Sequence, residues 1–150
     1  MGIIYSGTIK GSGGAKGGAF MHDKKNDWTA DEIETRAVGF IEDLASNGDI
    51  DPTSNLANNA AIIISGANDP VVPKKNQEAA KQIFDHYGMN DTKLEFIDTG
   101  NTGHGMEKHY AHTMVSHLYT SLGYVGNEAD FLGAQDEGHS GGYWRKHGTY

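Results

Sequence analysis

Six consecutive residues, Ala60-Ala61-Ile62-Ile63-Ile64-Ser65, carry no charge, and a run of β-branched isoleucines fills their centre. A strand with one face in water alternates polar and apolar residues, whereas a strand that is apolar at every position must be covered on both faces. Sheets covered on both faces are parallel ones flanked by helices, so this run directs the chain to the α/β class. Two further segments read as strands. Gly2-Ile3-Ile4-Tyr5-Ser6 is a short apolar run ended by glycine, and Lys93 to Asp98 alternates for most of its length, as a strand nearer the sheet edge does.

Helical patterns separate the strands. Thr29-Ala30-Asp31-Glu32 has the spacing of a capping box, which starts a helix at Thr29. Ile33, Ala37, Phe40, Ile41 and Leu44 then fall on one face, and Asn47-Gly48 supplies a left-handed terminator, so this helix ends near Ser46. Ala79, Ala80, Ile83, Phe84 and Tyr87 mark a second amphipathic helix stopped by Gly88, and Tyr110, Met114, Leu118 and Leu122 a third, from Glu107 to Gly123. The glycine-rich stretch from Gly7 to Asn26 shows no periodicity and is expected to be an irregular loop. The succession strand, helix, strand, helix, strand, helix predicts a short parallel sheet flanked by helices. Residues 2–122 form the core of this arrangement and residues 123–150 an irregular tail. Three strands leave an exposed edge and apolar surface that more strands would cover, so the expectation is one part of a larger domain.

Charge and composition narrow the partners. Twenty Asp plus Glu against 12 Lys plus Arg give a formal net charge of −8, which repels nucleic acid and anionic membrane surfaces. No apolar run is long enough to span a bilayer or to serve as a signal peptide core. With no cysteine, disulfide frameworks and thiolate metal sites are excluded.

In open α/β sheets functional groups collect beyond the carboxyl ends of strands, and two loops sit there. The first, Ser65-Gly66-Ala67-Asn68-Asp69-Pro70-Val71-Val72-Pro73, holds Asp69 between a glycine and two prolines that restrict the backbone. The second, Gly100-Asn101-Thr102-Gly103-His104-Gly105-Met106, flanks His104 with glycines that give it room to project. A strand-end acid followed one βαβ unit later by a strand-end histidine suits an acid–imidazole pair, the acid fixing the tautomer and the ring acting as general base. The bland reading of each residue alone is a turn-forming aspartate before proline and a solvated loop histidine.

These two loops together resemble the acid and histidine motifs of polyhydroxybutyrate depolymerases and related esterases of the α/β-hydrolase superfamily. Gly48-Asp49-Ile50-Asp51-Pro52 and the terminal region Tyr143 to Tyr150 add to the likeness, which runs from residue 2 to about 122. The resemblance implies a partial α/β-hydrolase fold, with residues 1–150 as the C-terminal part of such a domain. It implies Asp69 and His104 as catalytic triad members, a polyhydroxyalkanoate-type polyester or related acyl ester as substrate, no cofactor and an extracellular location; no metal is expected, because no metal-ligand motif accompanies the histidines. The nucleophile, expected on a Gly-x-Ser-x-Gly elbow before the acid, is not found there, so catalysis would need the missing N-terminal half of the fold.

Three other patterns lead elsewhere. Gly138-His139-Ser140-Gly141-Gly142 matches the elbow, but no strand pattern leads into it and no helix pattern follows, so Ser140 is set aside as nucleophile. Gly11 to Gly18 suggests a phosphate cradle, yet Lys16 precedes glycines where a P-loop needs Ser or Thr. His109 and His112 lie three apart on a helical stretch without a metal motif and read as solvated. Two alternatives to the esterase remain: a prolyl-oligopeptidase-type peptidase with the same acid and histidine placement, and a non-catalytic binding module built on the same half-fold.

Overall fold

A computed structural model describes residues 11–15, 27–105 and 108–123, the side chains of 12–15, 108 and 109 excepted. The order of elements is β1 (Gly11–Ala15), α1 (Ala30–Asn47), a 3-10 turn (Thr53–Asn58), β2 (Ala60–Ser65), α2 (Lys74–His86), β3 (Leu94–Asp98) and α3 (Lys108–Ser121). The strands form one parallel sheet in the order β1-β2-β3. This is the α/β arrangement expected from the Ala60–Ser65 run. All six residues of β2 are buried, and β3 lies at an edge of the described sheet with only Leu94 fully buried.

The helices form where the periodicity places them because their ends are satisfied locally. At the start of α1 the Thr29 hydroxyl accepts from the Glu32 amide, and the Glu32 carboxylate accepts from the Thr29 amide at 2.8 Å. At its end Gly48 adopts φ +77, and its amide reaches back to the last turn, a conformation that costs a residue with a Cβ. Ile33, Ala37 and Ile41 of α1 meet Ala79 and Ile83 of α2 in one buried cluster. Phe40 departs from the expected apolar face: it is 43% exposed, because it lies at the margin of the stripe that α2 covers.

The two sheet faces are covered by different helices. Ala61, Ile63 and Leu94 pack with Met89, and with Ala80 and Phe84 from α2. On the opposite face Gly11 lies under α3: a Cβ built there would sit 3.1 Å from Leu122 Cδ1 and 3.2 Å from Leu118 Cδ2. This contact accounts for the main correction to the sequence reading. The stretch expected to be an irregular loop contains β1, which pairs Gly11 through Ala15 with Ala60 through Ile64. Glycine contributes no strand preference of its own, so β1 exists through its ladder to β2 and through the close approach of α3. The expected strand over residues 2–6 and the tail from residue 124, including Ser140, lie outside the described residues. No helix among the described residues is long and apolar enough to cross a membrane.

Ile64, wholly buried at the centre of the sheet, should be among the most costly positions to truncate. Ile64→Ala is expected to lower the unfolding free energy by about 2–5 kcal/mol, and Thr29→Ala by about 1 kcal/mol through loss of the helix cap. Both are measurable by urea denaturation followed by circular dichroism.

Candidate active site

The register of β2 and β3 sets Ser65 opposite Asp98, so the loops that follow the two strands leave the sheet at the same level. The ladder does not stop there. Thr99 N donates to Ser65 O at 2.8 Å, Ala67 N to Gly100 O at 2.8 Å and Asn68 N to Thr102 O at 3.2 Å. The Asn68 side-chain amide adds a bond to Asn101 O at 3.2 Å. Thr99 Oγ1 also bonds Ser65 O and makes a short contact with Thr102 Oγ1. Gly100 turns the second loop with φ +65, its amide held by Asp98 Oδ1 at 2.9 Å. The other carboxylate oxygen of Asp98 takes the Lys74 ammonium at 2.6 Å, which holds that ammonium's pKa above its ordinary value. The start of α2 and the base of the histidine loop are thereby tied to one carboxylate.

This zipper brings Asp69 and His104 together. His104 Nδ1 lies 2.9 Å from Asp69 Oδ2 and 3.1 Å from Oδ1. A carboxylate can only accept, so Nδ1 carries the proton in this contact. The Asp69 side chain has no exposed surface, whereas that of His104 is 42% exposed. Buried behind the ring, Asp69 Oδ1 also accepts the amides of Val71 at 2.8 Å and Val72 at 2.9 Å. Burial pushes the Asp69 pKa up, but the Val72 amide, the His104 ring and the Val71 amide together outweigh it and hold the carboxyl below its ordinary value. The acid is thus kept ionised and aimed while the ring faces outward, an arrangement suited to taking a proton from a group that approaches from solvent.

Both residues singled out from the sequence therefore meet in space. Among the described residues no hydroxyl is hydrogen-bonded to His104, and no group of three His, Asp or Glu side chains converges as a metal site. His112 is exposed, as read, while the side chain of His109 lies outside the described residues.

The sequence reading did not find a second polar cluster. His117 Nδ1 lies 2.9 Å from Glu95 Oε2, beside a groove of about 410 Å³ between α3 and the β3 edge. Its signal was present: His117 and Ser121 lie four apart on a helix, and Glu95 occupies the face of β3 that the alternation turns toward α3. Compared with protein-family models, curated proteins and solved structures, the chain matches none.

The depressed Asp69 pKa has a testable consequence. A group with a lowered folded pKa stabilises the fold above its unfolded value, and that contribution is lost as pH falls through the folded value. Asp69→Asn should accordingly lower the urea midpoint at pH 7, and the gap from wild type should close below about pH 4, where an unfolded aspartate takes up its proton. A gap that stays constant down to pH 2 would remove the ionised carboxylate from the account.

Proposed function

We propose that Asp69 and His104 are the acid and general base of a serine-hydrolase triad, in a protein of the polyhydroxybutyrate depolymerase type. Its substrate is a polyhydroxyalkanoate-type polyester or a related acyl ester. The observation that supports this most is the contact of one buried, amide-anchored carboxylate with His104 Nδ1, on a ring whose other side is open. The partial hydrolase fold and the extracellular setting belong to the same proposal and rest on the likeness of the two loops.

In that reaction His104 Nε2 takes the proton from a serine hydroxyl as its oxygen attacks the ester carbonyl, and Asp69 stabilises the imidazolium that forms. The proton then passes to the departing alkoxide, leaving an acyl-enzyme. Water, deprotonated by the same nitrogen, attacks the acyl carbon and regenerates the serine. Asp69 never leaves its carboxylate form. Replacing the acid of such a triad by its amide costs about four orders of magnitude in turnover, because the ring loses its tautomer. The serine comes from outside the residues described, on an elbow that the chain does not carry ahead of Asp69.

Two measurements test this. Nitrogen-edited NMR spectra of the imidazole should show neutral His104 as the Nδ1–H tautomer, a preference that Asp69→Asn abolishes; an Nε2–H tautomer in the wild type would overturn the pairing. The purified chain should cleave p-nitrophenyl acetate no faster than His104→Ala. Cleavage lost in both His104→Ala and Ser140→Ala would instead make Ser140 the nucleophile and refute a serine supplied from elsewhere.

A further inference from the structure

We infer that the groove between α3 and the β3 edge is a binding site for a small, uncharged, polyhydroxylated ligand with the size and chemistry of a sugar or polyol. The inference is independent of the reading of Asp69 and His104, whose side chains do not line this groove.

Within its lining, Glu95, His117 and Ser121 have the connectivity of an acid, an imidazole and a hydroxyl, but two observations deny them nucleophilic chemistry. His117 Nε2 lies 3.1 Å from Lys93 O, a carbonyl that can only accept, so no lone pair is turned toward Ser121. Ser121 Oγ, 3.4 Å from that nitrogen, donates instead to Thr92 O at 3.0 Å. Ser121 also closes α3, and the carbonyl end of a helix opposes the negative charge an attacked ester develops. The three side chains form a fixed pedestal that holds α3 to β3.

Elsewhere in the lining, hydrogen-bonding capacity is unspent. Ser116, Thr120 and His112 line the groove, and among the described residues their side chains make no hydrogen bond or ion pair. Among the described residues Glu95 engages His117 through Oε2, and its Oε1 meets no partner. Two hydroxyls and an imidazole from α3 and a carboxylate oxygen from β3 present both donors and acceptors to the groove. A volume of about 410 Å³ falls at the lower end of the range for small-molecule sites, about 300–1,000 Å³.

The chemistry of the ligand follows from what the lining can satisfy. An apolar molecule would strip water from these hydroxyls and return no hydrogen bond. An anion would meet the Glu95 carboxylate and the negative end of α3, while both nitrogens of His117 are engaged by Glu95 and Lys93 O and offer it no N–H. A chain of neutral hydroxyls pairs with every group, the free carboxylate oxygen accepting from a diol while Ser116 and Thr120 both give and accept.

Amide NMR spectra of the full chain, titrated with sorbitol, with maltose and separately with inorganic phosphate, test the assignment. At least one of the two polyols should give saturating shifts at Glu95, Ser116 and Thr120 in the millimolar range, with phosphate leaving them unmoved. The double variant Ser116→Ala/Thr120→Val keeps the pedestal intact and should weaken binding by about tenfold. Absence of a saturating response to either polyol, an equal response to phosphate, or undiminished binding by the double variant would each overturn the inference.

Discussion

The parallel ladder between β2 and β3 is the constraint on which the rest of the described structure depends. β2 is buried along its whole length and apolar from Ala60 to Ile64, so it can exist only if both faces are covered, which recruits α2 to one side and α3 to the other. Its register with β3 then fixes where the two following loops begin. Because a shift of one residue in a strand turns every side chain to the opposite face, burial of the Ala61 and Ile63 face against α2 locks that register. The loop-to-loop bonds through Asn68, Thr99 and Thr102 continue it outward. A packing requirement in the core thus becomes a distance of 2.9 Å between two side chains beyond the strand ends.

That pair is asymmetric in a way that suits proton transfer. A buried ionised carboxylate is costly unless its lone pairs are filled, and Asp69 fills them with two amides of its own loop and the histidine. Pro70 and Pro73 restrict the backbone on either side of those amides, so the turn that anchors the acid is stiff. His104 sits among glycines and is half-exposed. In the proposed triad the rigid partner is the one that only orients, and the accessible partner is the one that exchanges a proton.

How much of this was legible in the sequence depended on whether the cause was local. Thr29 and Glu32 lie within one turn of each other, as do Asn47 and Gly48, so the limits of α1 could be read from neighbouring residues alone. The apolar run of β2 declared its own burial. β1 did the opposite: Gly-Ser-Gly-Gly-Ala has the composition of a loop, and only its partner strand and the leucines of α3 make it a strand. Phe40 was misplaced for a related reason, since the width of a buried stripe is set by the neighbouring helix and not by the helix that carries it. The short turn over Thr53–Asn58, which buries Leu56, has too little length for periodicity to register. In the site, loop position and residue type brought Asp69 and His104 to notice, while the amides of Val71 and Val72 that fix the carboxylate carry no side-chain signature.

The two histidine–carboxylate contacts in the described chain make a controlled comparison. His104 with Asp69 and His117 with Glu95 both place Nδ1 at 2.9 Å from a carboxylate oxygen, so the contact by itself does not separate a general base from a structural clasp. What separates them lies beyond the pair. In the first pair the Asp69 carboxylate is buried and the His104 ring is 42% exposed, whereas in the second the exposures are reversed: His117 is 12% exposed and Glu95 41%. The second nitrogen of His117 is taken by a backbone carbonyl, and that of His104 meets no partner among the described residues. An imidazole can relay a proton only if one nitrogen is oriented and the other is free to meet a reactant. By that criterion His104 is fitted for chemistry and His117 for holding two elements together, although the same two residue types make both contacts.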